Sequence, residues 1–130
     1  MIAVILASER LDRLYTGLSL LVSTAAEGER AVGLATFGAL APLLEPRLEA
    51  LALRPDAVPG LTEPGRLTFA RSLAALRDTA GELPDCAIWA CAAAVETTGA
   101  DRVAIEQRLD GVRSTPHFLR DAGDARLVVV

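Results

Sequence analysis

Both cysteines of the chain fall in CAIWACAAAVETTG, residues 86–99. Cys86 and Cys91 could be a disulfide pair, two ligands of one metal, a reactive thiol with a silent neighbour, or two small apolar residues of a core. CAIWACA is a short apolar run after Pro84, the pattern of a buried strand. Side chains on a strand alternate faces, so a separation of five puts the two thiols on opposite sides of a sheet. Their Cα atoms would lie roughly 16 Å apart, against less than about 7 Å for a disulfide. The same geometry argues against a shared zinc site, and the single histidine, His117, does not supply the missing ligands.

The two thiols differ in setting. Cys91 closes the strand and opens AAAVETTG, which places it at the carboxyl end of a sheet, where parallel α/β proteins gather their ligand sites. A helix start there favours negative charge, and such a setting lowers a cysteine pKa from about 8.5 towards roughly 3.5–7.5. Cys86, at the opposite edge, reads as core. Four further side chains are candidate pocket-lining residues. Ser8 and Phe37 end the first two apolar runs, Glu96 follows Cys91 by one and a half helical turns, and His117 follows a fourth strand and could serve the thiol as a base. Each also has a structural explanation: capping for Ser8, burial for Phe37, a solvated helix face for Glu96 and a surface or cap position for His117. Trp89, two residues before Cys91 and on its face, reads as core packing.

The elements that position these residues alternate. IAVILA, from Ile2, is a strand, and Ser8 is placed to cap a helix whose Leu11, Leu14, Tyr15, Leu18, Leu21, Val22 and Ala25 share one face, with Gly28 as its stop. AVGLATF, residues 31–37, is a second strand. Five of the seven prolines lie between Pro42 and Pro64. Residues 45–65 therefore read as an irregular lid or interface loop, with room for a short helix near Leu43 to Leu53. Arg66 to Ala80 carries Phe69, Ala70, Leu73, Leu76 and Ala80 at helical spacing, and Gly81 and Pro84 end it. After the cysteine strand come a short helix to Gly99, a helix capped by Asp101 and running to about Leu109, and a short strand in GVRST. A helix with Pro116 in its first turn and a fifth strand, RLVVV, complete the chain. The expectation is one domain over 1–130, a three-layer α/β/α fold with a mainly parallel sheet of about five strands.

Composition narrows the function. The chain has 130 residues, a net charge of -4 and 52% hydrophobic residues with 4% aromatics. The acidic balance argues against direct nucleic acid binding or an anionic membrane as the main partner. The apolar excess suits a homo-oligomer. The apolar run at the start is too short for a membrane span and lacks a positive leader, so the expected location is the cytoplasm, where cysteines rest as thiols. GLATFGAL has two glycines at phosphate-loop spacing, but Ala39 and Leu40 stand where Lys and Ser or Thr are needed. GxGxxG, HExxH and GxSxG patterns do not occur, and no cofactor is expected.

AIWACAAAVETTG and RLDGVRSTPHFLRDAGDARLVV, with IAVILASERLDR and VGLATFGAL before them, resemble the DsrE/DsrF-like sulfur-relay family. There a third strand ends in a cysteine followed by small residues and a glycine about eight positions on. The likeness spans most of the chain outside residues 45–65. It implies a three-layer α/β/α fold, trimeric or hexameric assembly, and a strand-end cysteine that carries sulfur as a persulfide between a donor and an acceptor protein. Cys91 is the matching position; Cys86 matches none. A second reading is a noncatalytic oligomeric module of the same fold, whose cleft under residues 42–64 holds a small ligand or partner segment. A third, redox regulation through a Cys86–Cys91 disulfide, conflicts with the strand geometry.

Overall fold

A computed structural model describes all residues, 1–130. The five strands are β1 (Ile2–Leu6), β2 (Ala31–Ala35), β3 (Cys86–Cys91), β4 (Val112–Arg113) and β5 (Arg126–Val129). All pair in parallel, in the order β4-β3-β2-β1-β5. The seven helices are α1 (Leu11–Ala26), α2 (Phe37–Leu44), α3 (Leu48–Ala52), α4 (Glu63–Glu82), α5 (Ala92–Thr98), α6 (Arg102–Arg108) and α7 (Thr115–Ala122). The α/β architecture with helices on both sides of a parallel sheet is the one the alternation of apolar runs predicts.

The order of the strands decides the layers. β1 to β4 step across the sheet in one direction, so right-handed crossovers put their helices on one face. α1 packs on α4 and on β1, β2 and β3, and α4 and α6 together line a cleft formed by Arg77, Asp78, Gln107 and Arg108. The return from β4 to β5 runs the other way, which sends α7 to the opposite face. Strand alternation agrees. A Cβ at Gly33 would lie 3.1 Å from Leu21 of α1, so Gly33 and its row partners Val4 and Ile88 face α1. Trp89 and Cys91 therefore face α7.

The core is one cluster of 31 buried residues, which includes Leu14, Leu18 and Leu21 of α1 and, on the sheet face turned to α1, Val4, Leu6 and Ile88. Tyr15 and Phe69 stack with ring centroids 5.3 Å apart and join α1 to α4. Aliphatic burial dominates because the chain has few rings, and each fully buried Leu or Val contributes about 1.5–3 kcal/mol relative to exposure.

Several boundaries differ from the sequence reading. Ser8 does not cap α1. The helix starts at Leu11 with Arg10 before it, and Ser8 Oγ accepts a bond from Arg10 N at 3.1 Å instead. β2 stops at Ala35: Thr36 N and Oγ1 both donate to Leu6 O, which turns the chain. Phe37 then starts α2 at φ 24 and is 53% exposed, so burial does not explain it. The expected loop over 45–65 holds α3 and the first residues of α4, because Thr62 caps α4 by accepting from Gly65 N at 3.0 Å. Pro64 fits there, in a first turn where its missing N–H costs nothing. Pro42 lies inside α2 near its end, where Arg77 of α4 donates to the carbonyls of Pro42, Leu43 and Glu45 and Glu45 N also donates to Pro42 O.

Candidate functional site

β3 brings Cys91 to the carboxyl edge of the sheet, between β2 and β4, as the residue preceding the seven-residue helix α5. The thiol is free and 4% exposed. Its Sγ lies 4.0 Å from Thr115 Oγ1, the first residue of α7. Across the parallel ladder the Cα partner of Cys91 is Arg113. The Arg113 guanidinium lies 3.7 Å above the Trp89 ring and forms an ion pair with Asp121 of α7. Such stacking of Arg on Trp adds roughly 0.5–1 kcal/mol, more where water is excluded. His117 Nε2 stands 3.5 Å from the same Asp121 oxygen. Trp89, read as core, is thus half-buried and serves as a platform for Arg113.

Ser114 fixes the start of α7 by accepting from His117 N at 3.3 Å, and Pro116 supplies a preset φ in the first turn. Phe118, 1% exposed, and Ala122 anchor the helix to the sheet. The loop before β4 is pinned as well. Asp110 Oδ2 accepts from Ile88 N at 2.8 Å, and Ala90 N donates to Gly111 O at 2.8 Å. Gly111 has φ 130, and a Cβ there would lie 3.2 Å from Trp89, so only glycine fits without strain.

Cys86 begins β3 at the other edge and is also free and buried. Burial, helped by the Asp110 carboxylate, pushes its thiol up to about 11. At neutral pH it is a protonated core residue and a poor nucleophile.

Of the sequence candidates, His117 belongs to the same face as Cys91 and is linked to it through Asp121 and Arg113. It makes no hydrogen bond with the thiol, whose polar neighbour is Thr115. Glu96 lies on the exposed side of α5. Ser8 lies in the loop between β1 and α1. Phe37 is elsewhere again, at the mouth of a cavity of about 430 Å³ with Glu9, Leu11, Ala41, Glu45 and Arg54. A second cavity of about 400 Å³ lies on the other side of α2, against Thr98, Asp101 and Ala104, and Phe37 lines both. Cys91 lines neither. The carboxyl edge therefore carries two separate features: a thiol under α7, and open cavities around α2.

Sequence reasoning missed Arg113, Thr115 and Asp121. The pairing of His117 with Asp121 was readable from their four-residue spacing on a helix. Arg113 was not, since its place beside Cys91 depends on the register of β3 with β4. No group of three or more His, Cys, Asp or Glu side chains is arranged to hold a metal ion. No helix is long and apolar enough to cross a membrane. Neither a protein-family model nor a curated protein matches the chain.

Proposed function

We propose that the chain is a cysteine-based sulfur carrier, which takes sulfur on Cys91 from a donor protein and passes it to an acceptor protein. The observation that carries this reading is the unequal setting of two free thiols on one strand. Cys91 stands at the ligand edge of a parallel sheet, beside a hydroxyl and across from an arginine. Cys86 stands at the other end, with its thiol held neutral by burial.

The chemistry needs no oxidant. Cys91 loses its proton to solvent, and its thiolate attacks the outer sulfur of the donor persulfide. A new S–S bond forms on Cys91 as the donor S–S bond breaks, and the donor leaves as a thiolate. An acceptor thiolate repeats the step in the other direction. Neither a metal nor an organic cofactor takes part.

Assembly as a homo-oligomer, a trimer before a dimer, belongs to the same proposal, and so does a cytoplasmic location. What supports assembly is the face that α7 shares with the sheet. Five strands about 4.8 Å apart make a surface roughly 20–25 Å wide, and one helix covers about 10 Å of it. Leu119 on α7 is 44% exposed, and Leu127 and Val129 of β5 are 50% and 62% exposed. Light scattering that finds only monomer at micromolar concentration would reject the oligomer.

The deciding experiment incubates the purified chain with a persulfide donor and locates added sulfur by peptide mass spectrometry. Sulfur is expected on Cys91 and is lost in Cys91→Ser. Sulfur on Cys86 alone, or on neither thiol with a competent donor, rejects the carrier.

The cavity of about 430 Å³ favours one other reading, a noncatalytic binding module. It has the size of a small-molecule site, and the segment 42–64 supplies part of its wall, through Pro42, Glu45, Leu51 and Arg54, with Glu9, Leu11 and the start of α2 closing the rest. Full activity and binding in Cys91→Ser would select this second reading.

A further inference from the structure

Cys91 keeps only 4% of its surface open, yet any reaction at Sγ requires a partner atom to approach it. The element beside the thiol is α7, which begins with Thr115 at 4.0 Å from Sγ. Two kinds of contact hold α7 down. Phe118 and Ala122 are buried beneath it. On its flank, Asp121 pairs with Arg113, whose guanidinium is in turn stacked on Trp89. Because Arg113 is the ladder partner of Cys91, this pair ties α7 to the strand position adjacent to the thiol.

The backbone around the pair is lightly held. β4 has two residues, α7 has eight, and the chain leaves α7 through Gly123 at φ 54. Short elements with few ladder bonds open locally at a free energy well below that of global unfolding. The half-buried Arg113 and the adjoining Asp121, with 20% and 36% of their side-chain surface open, are the charged contact that such an opening must break.

We propose that α7 is a cover over Cys91 and that the Arg113–Asp121 pair is the latch that sets how often the thiol is reached. The inference rests on the sulfur-carrier reading for its biological purpose, but the geometry of cover and latch stands without it. Arg113 and Asp121 are positioning residues here: they act on the helix, and the helix acts on access to sulfur. Asp121 is the better residue to change, because it lies on α7 and its loss does not strip side-chain atoms from above the strand.

The test measures the rate at which iodoacetamide alkylates each cysteine of the folded chain, by peptide mass spectrometry at low salt. The Cys91 thiolate displaces iodide and forms a thioether, so the readout does not depend on sulfur transfer. Asp121→Asn is expected to raise the Cys91 rate about five-fold, the effect of one partly exposed ion pair. Arg113→Gln should raise it as well, and the effect of the double variant should fall short of the product of the two single effects, since both substitutions remove the same Arg113–Asp121 contact. Salt near 1 M should speed the unaltered chain and leave Asp121→Asn unchanged. Cys86 should remain protected throughout. An unchanged Cys91 rate in Asp121→Asn, or a parallel rise at Cys86 that signals global unfolding, overturns the latch. If alkylation follows the expected pattern and sulfur transfer fails, the carrier reading falls and the latch survives.

Discussion

Alanine at Gly17 should destabilise the protein although alanine is the better helix former. Gly17 lies in α1 where the helix crosses β1 and β5. A Cβ built there would come 2.2 Å from Leu6 Cδ2 and 2.8 Å from Val130 Cγ2. Leu6 is 1% exposed, so its side chain has little room to swing away. Overpacking of this kind costs about 1–3 kcal/mol, against a gain of about 1 kcal/mol for replacing a helical glycine. Two approaches under 3.0 Å put the cost in the upper part of that range, so the net expectation for Gly17→Ala is a loss of about 1–2 kcal/mol. Gly81, near the end of α4, supplies the opposite case: a Cβ there meets nothing within 4 Å. Gly81→Ala should therefore gain about 0.5–1 kcal/mol. Urea denaturation of the two variants beside the parent chain reads both signs. A Gly17→Ala variant stabilised as much as Gly81→Ala would refute the close approach of α1 to β1 and β5, and with it the layer order derived above.

Three further outcomes are expected. The Cys86 thiol has a folded pKa of about 11 against 9.0 as its ordinary value, so its contribution to stability is intact below pH 9 and is lost as pH rises towards 11. The loss is roughly 2–3 kcal/mol, and it should vanish in Cys86→Ala when urea midpoints are compared across that range; identical pH profiles would contradict it. Arg77 donates to the carbonyls of Pro42, Leu43 and Glu45 and is itself partly desolvated, which pushes its pKa down. Arg77→Met takes the donor from the Leu43 and Glu45 carbonyls, while Pro42 O keeps Glu45 N, and it removes a partly buried charge, for a net loss of about 2 kcal/mol in chemical denaturation; no change would show that water replaces the guanidinium freely. Phe118→Ala removes the main anchor of α7 and should cost about 3–5 kcal/mol while speeding alkylation at Cys91; a variant with unaltered stability would mean that α7 is not seated on the sheet.

The face that Cys91 occupies was legible from parity alone. Cys86 and Cys91 bound one six-residue strand, and alternation sends their side chains to opposite faces whatever surrounds them. What lies over Cys91 was not legible. Arg113 is 22 positions away in the chain and becomes its neighbour only because β4 pairs with the last two residues of β3. The Phe37 boundary failed for a related reason. AVGLATF is apolar but for Thr36, a residue that strands accept readily, and the turn after Ala35 is made by Thr36 bonding to Leu6, a contact that exists only once β1 and β2 are paired.

The sequence by itself determined the local patterns: uninterrupted apolar runs of strand length, helical faces in α1 and α4, the cap at Asp101 and the first-turn Pro116 of α7, and hence a parallel α/β sheet, although the run GVRST read as a strand ends at Arg113 and Ser114 caps α7 instead. Those features depend on residues a few positions apart, whose geometry the backbone imposes. Only the tertiary structure decided the strand order, the helix that covers each face, and the grouping of Trp89, Arg113, Thr115 and Asp121 around Cys91 apart from Ser8, Phe37 and Glu96. Strand order follows from burying all the apolar faces at once, a condition on the whole chain that no local pattern of residues encodes.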